Sequence, residues 1–160
     1  MMQMMKSKKD NIAEYILHLW QMEDYLRAFP QNAEATQELH ELSEMMHREG
    51  VVESGHVALA NNALGEVEDL HTQLLNEDAL YRAAIIRLRP SLNLLKAKTD
   101  RPTMSDIEAC FTLLYQIMLL RLQKREISPE TTSVQTQATQ VLQFLSKVYL
   151  SGYRDTEIPE

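Results

Sequence analysis

Six stretches of this chain repeat apolar residues every three or four positions, and each is bracketed by residues that start or stop helices. The first, about 11–29, opens on a capping-box pattern of Asn11 and Glu14. It carries Ile12, Ile16, Leu19 and Leu26 on one stripe and meets Pro30. The second, about 33–49, takes Asn32 as cap, Ala35, Leu39, Leu42 and Met46 as stripe, and Gly50 as stop. The third, about 55–76, buries Val57, Ala60, Leu64, Val67 and Leu74. The fourth, about 78–98, is broadly apolar through Leu80, Ala84, Ile85, Leu88, Leu92 and Leu95, and Pro90 should kink or split it.

The fifth stretch starts at a capping box of Ser105 and Glu108 and runs through Ile107, Cys110, Phe111, Leu114, Ile117 and Met118. With Leu113, Leu119 and Leu120 it is apolar almost all round, which predicts a central helix. The sixth has Ser128 as cap, Pro129 at its first turn, Val134, Ala138, Val141, Leu145 and Val148 as stripe, and Gly152 as its end. Short connections join neighbours that run antiparallel, and no alternating strand pattern intervenes. The sequence therefore predicts an all-α, up-and-down antiparallel bundle of about six helices in a single domain. Its expected span is 11–152, with residues 1–10 and 153–160 as flexible tails.

Composition fits that architecture and narrows its setting. Only four Gly and five Pro occur in 160 residues, too few for many tight turns. The most apolar run, 110–122, is about 13 residues long and includes Thr112, Gln116 and Arg121, whereas spanning a bilayer takes ~20. Lys6, Lys8 and Lys9 near the start lead into no apolar segment of the kind a signal peptide needs. The single cysteine, Cys110, cannot close an internal disulfide. These features point to the cytoplasm. Charge is uneven: residues 31–78 hold eleven acids against Arg48 alone, and residues 79–125 hold nine Lys or Arg against Asp100, Asp106 and Glu108. The overall net charge of −7 argues against general nucleic-acid binding.

Three strings resemble a known family. They are 11–28 (NIAEYILHLWQMEDYLRA), 49–75 (EGVVESGHVALANNALGEVEDLHTQLL) and 119–131 (LLRLQKREISPET). Together they resemble a domain-of-unknown-function family of small all-helical proteins from bacteroidete bacteria, over nearly the whole chain. The third string is the most specific. The sequence departs from the family pattern after Phe29, where it is shorter before its second helix. The resemblance implies a small helical cytoplasmic protein; it carries no activity and no catalytic residue.

Two carboxylate patterns suggest metal chemistry. Glu44/His47, Glu53/His56 and Glu68/His71 each have the Glu-x-x-His spacing of di-iron bundles, which works only if both ligands face the interior. At ~100° per residue, Glu44 and His47 turn away from their helix's apolar stripe, and Glu53 precedes its helix beside Gly55. Glu38, Glu41, Glu66 and Asp69 resemble the Mg²⁺-binding acids of all-helical nucleotide pyrophosphatases, with Gln37 in place of that family's leading acid. These four lie roughly 70–160° from their stripes, so the helical projection does not bring them together. No glycine-rich phosphate loop or strained serine elbow occurs, and the sequence implies no cofactor and no catalytic residue.

Charges that fall on apolar stripes are more telling, because a buried charge must be paired or put to use. Glu23 sits among Ile12, Ile16, Leu19 and Leu26, Arg121 on the face led by Leu114, and His71 between Val67 and Leu74. Glu23 is expected to pair with Arg121, Arg27 competing one turn away. Trp20, Glu23, Arg27, His71 and Arg121 form the candidate buried polar cluster, either a structural ion pair or a small binding cavity. Arg82, Arg89 and Lys96 repeat every seven residues along the fourth helix, with Lys98 and Arg101 nearby. Without aromatic interleaving they read as a solvated face, or as a ridge meeting the acidic second helix of another copy in a homodimer. The sequence thus favours a helical module that binds itself or another protein, with the Mg²⁺-dependent nucleotide hydrolase and a small-ligand-binding bundle as alternatives.

Overall fold

A computed structural model describes residues 7, 8 and 10–157, with side chains described to Gly152. Of the expected tails, residues 1–6, 9 and 158–160 lie outside the described residues, whereas 153–157 continue the last helix. Within them the chain forms α1 (Ile12–Ala28), a single 3₁₀ turn (Pro30–Asn32), α2 (Gln37–Glu49), α3 (Ala58–Glu77), α4 (Ala79–Lys98), α5 (Asp106–Leu122) and α6 (Pro129–Glu157), with no strand. The all-helical class follows from local signals. Asn11 Oδ1 accepts the Glu14 amide, Asp78 the Tyr81 amide, Ser105 Oγ the Glu108 amide and Ser128 Oγ the Thr131 amide, each closing a first turn. Gly50, at φ +73, ends α2 in the left-handed conformation that a glycine adopts without a Cβ clash.

Three boundaries differ from those expected. α2 starts at Gln37 because Thr36, not Asn32, is the cap: Thr36 Oγ1 accepts the Leu39 amide, while Asn32 donates to the Tyr25 hydroxyl. α3 starts at Ala58 because residues 51–57 are held by side chains of α1. α6 runs through Gly152 to Glu157, since one interior glycine costs a helix only about 1 kcal/mol. Pro90 sits inside α4, which continues unbroken from Ala79 to Lys98.

The chain divides into two compact units, residues 1–66 and 67–160, with the boundary inside α3. In the first, α1 packs on α2, and Ile12, Ile16, Leu19, Trp20, Met22 and Leu26 are buried along with Leu39, Leu42 and Met46 of α2. In the second, α4, α5 and α6 pack against one another and bury Ile85, Leu88, Leu92, Ile107, Phe111, Ile117, Ala138 and Leu145. α4, α5 and α6 each touch the other two, so contacts do not single out α5 as central, and only its first two-thirds is deeply buried. Its last turn emerges with Leu119 and Leu122 exposed. No helix among the described residues is long and apolar enough to cross a membrane.

Candidate functional sites

The most deeply placed charge is Glu23, on α1 in the first unit, with 0% relative exposure. Its carboxylate is held by the connection between α2 and α3, not by Arg121 as the sequence predicts. Oε1 lies 2.6 Å from His56 Nδ1, and Oε2 accepts the Val57 amide at 2.7 Å. His56 stacks on Trp20, with ring centroids 4.7 Å apart and planes 14° off parallel. One turn on, Arg27 donates to the carbonyls of Val51, Val52 and Gly55 and pairs with Asp24 at 3.0 Å. Two successive turns of α1 therefore satisfy donors and acceptors of the same loop. Trp20, Glu23 and Arg27 do come together, with His56 as the member that helix-face reasoning overlooks. The other two expected members bond elsewhere. His71 lies in the second unit, and Arg121 is exposed and donates to Gln135, because the emerging last turn of α5 carries it out of the core.

His71 Nδ1 is 2.6 Å from the Tyr81 hydroxyl. Burial lowers the imidazole pKa, with the nearby Arg89 charge adding to the effect and Asp106 opposing it. Burial also pushes the Tyr81 phenol well above its ordinary value. Both groups are thus neutral near pH 7, and the imidazole tautomer sets which of them donates the bond they share. The rest of the basic ridge is committed within the second unit. Arg82 donates to the carbonyls of Leu75 and Asn76 at the end of α3, while Arg89 Nε and Lys96 Nζ meet Asp106 at 3.1 and 2.8 Å. Burial works to raise the Asp106 carboxyl, but bonding and charge from Lys96 and then Arg89 outweigh it and hold the pKa low. All three side chains are thus bonded within the second unit, Arg82 from an exposed position and Lys96 from a largely buried one.

The acid patterns do not assemble. Among the described residues, no group of three or more His, Cys, Asp or Glu is placed to hold a metal ion, and Glu38, Glu41, Glu66 and Asp69 form no such group. Glu66 instead takes Lys8 at 3.0 Å, and Glu41 accepts from Gln37. Of the Glu-x-x-His pairs, His47 bonds the Ser43 carbonyl, His56 bonds Glu23, and Glu68 accepts from Ser105. Cys110 is fully buried, and burial pushes its thiol up to about 12, so it is no thiolate nucleophile at neutral pH.

What the second unit does present is an open groove of about 250 Å³ between α4 and α6. Leu80, Tyr81, Ala84, Val141 and Phe144 line it together with the polar Asp78, Arg87, Gln137 and Gln140. Tyr81 and Phe144 meet there with ring centroids 5.8 Å apart. Leu80, which the sequence reading includes in the apolar run of α4, is 85% exposed.

The family model of a domain of unknown function, DUF4924, matches residues 1–39 and 30–156. This chain belongs to the DUF4924 family. The two matched stretches overlap at residues 30–39. No curated protein and no solved structure matches the chain. Membership of DUF4924 thus brings no activity with it, and the function has to be read from the surfaces and sites described above.

Proposed function

We propose that this DUF4924 domain acts by binding a polypeptide, another protein or a second copy of itself, rather than by catalysis. The observation that carries this reading is the outward side of α4: Leu80, Ile86 and Leu94 are 85%, 56% and 63% exposed, beside the groove that α4 forms with α6. Single exposed leucines are common on soluble proteins, but a run of them along one helix next to a concavity marks an interaction surface. Covering those three side chains yields roughly 5 kcal/mol before the cost of association is subtracted, enough to matter to a complex. We place this work in the cytoplasm, which suits a lone buried Cys110 that never needs oxidising.

The test is the double variant Leu80→Glu/Leu94→Glu. Both side chains project into solvent, so helicity and melting should match the unaltered protein. Sedimentation velocity over a range of concentrations, together with affinity capture from cells, then compares the two proteins. Self-association or a retained partner should be seen with the original chain and lost with the variant. If both proteins behave alike in both measurements while remaining folded, this face is not the working surface.

A further inference from the structure

α4 has two apolar faces. Wound at ~100° per residue, its buried residues Tyr81, Ile85, Leu88, Leu92 and Leu95 gather on one side. Leu80, Ala83, Ile86, Pro90, Leu94 and Ala97 gather on another, roughly 170° away, and all six are exposed. A surface helix with a single layer of neighbours needs one apolar stripe, so the second stripe is the imprint of a further helix-width layer. It runs the length of α4, ~30 Å at 1.5 Å per residue, and its first half adjoins the groove through Leu80.

The charges on α4 itself carry one sign; the one acid at this face is its capping residue, Asp78, which lines the groove at the start of the helix and accepts the Tyr81 amide. α4 contains Arg82, Arg87, Arg89, Lys96 and Lys98 and no Asp or Glu. Arg82, Arg89 and Lys96 are used internally, whereas Arg87 and Lys98, on the Leu80 side of the stripe, make no ion pair among the described residues. Resting on the reading of this face as a binding surface, we infer that its occupant is an amphipathic helix with acidic flanks. Such a helix lays its apolar face along Leu80, Ile86 and Leu94, seats its bulkiest side chain against Phe144 in the groove, and brings carboxylates to Arg87 and Lys98. Charge disfavours two other occupants. A second copy joined through α4 would set the cationic rims against each other, and an anionic membrane would meet a chain of net charge −7.

The experiment uses the full chain and two labelled synthetic peptides of about twenty residues. Both carry leucines at helical spacing, one with glutamates and the other with lysines on the flanks. Fluorescence anisotropy should show saturable binding of the glutamate peptide, weakened by salt, and about tenfold weaker binding of the lysine peptide. Arg87→Glu/Lys98→Glu should invert that preference, and Leu80→Glu/Leu94→Glu should abolish binding of both. Equal binding of the two peptides, or a preference that survives charge reversal, overturns the acidic-helix assignment. So does a dimer, or binding to phosphatidylserine vesicles, that disappears with Leu80→Glu/Leu94→Glu; the dimer would still leave the polypeptide-binding reading standing. If neither peptide binds and neither variant alters assembly or capture, both readings fall together.

Discussion

Glu23 is fully buried, so its carboxylate rests on His56 and the Val57 amide, and through them it fixes how the chain leaves α2 and enters α3. Removing one partner from such an arrangement strands the other. Glu23→Ala should destabilise the first unit by about 3–5 kcal/mol, and Glu23→Gln, which can still accept the Val57 amide, by about 1–3 kcal/mol. Urea denaturation followed by Trp20 fluorescence measures both, because Trp20 lies on the His56 ring. His71 gives a pH dependence. Its folded pKa is depressed below 6.5, so the unfolded chain takes up the proton first; its contribution is complete above about 6.5 and is lost as pH falls below that. His40, raised by its hydrogen bond to Glu34 and by that carboxylate's charge, has the opposite sign. The comparison should therefore be made between the unaltered chain and His71→Gln at pH 7.5 and 5.5, where the variant should show the shallower loss. Glu23 was legible as a buried charge because it interrupts an apolar stripe. Its partner was not, because His56 lies in an irregular segment, and helical projection assigns no direction to a side chain outside a helix.

Starts of helices were legible wherever one capping residue stood alone before an apolar stripe, as at Asn11, Ser105 and Ser128. Where two candidates stood close together the choice went astray. Asn32 and Thr36 both precede the second stripe, and the buried set Leu39, Leu42 and Met46 needs only the later one. Glycine meant different things at different places for the same reason of context. At Gly50 an added Cβ meets nothing within 4 Å, so the whole cost of Gly50→Ala is its positive φ, about 1 kcal/mol of destabilisation. At Gly65, inside α3, an added Cβ also meets nothing, and φ is ordinary. Gly65→Ala should therefore stabilise by about 0.5–1 kcal/mol. Calorimetry on the pair should move melting in opposite directions.

At the scale of the molecule, composition and periodicity carried the class of fold but not the use of the surface. The basic residues of α4 looked like an outward ridge because charges are normally solvated. Arg82, Arg89 and Lys96 instead secure the end of α3 and Asp106, and the outward side carries an apolar stripe beside Arg87 and Lys98. Which of two apolar stripes turns inward is decided by neighbours distant in sequence, and α4 taken alone has no means of marking it. The same packing places the one thiol, Cys110, at the centre of the second unit with none of its surface exposed. Ellman's reagent should therefore react with the folded chain only when the helices around α5 part, and its rate should climb with denaturant in step with unfolding. The chain thus contains its own clock: each labelled molecule records one opening of residues 67–160, with no added probe and no change of sequence.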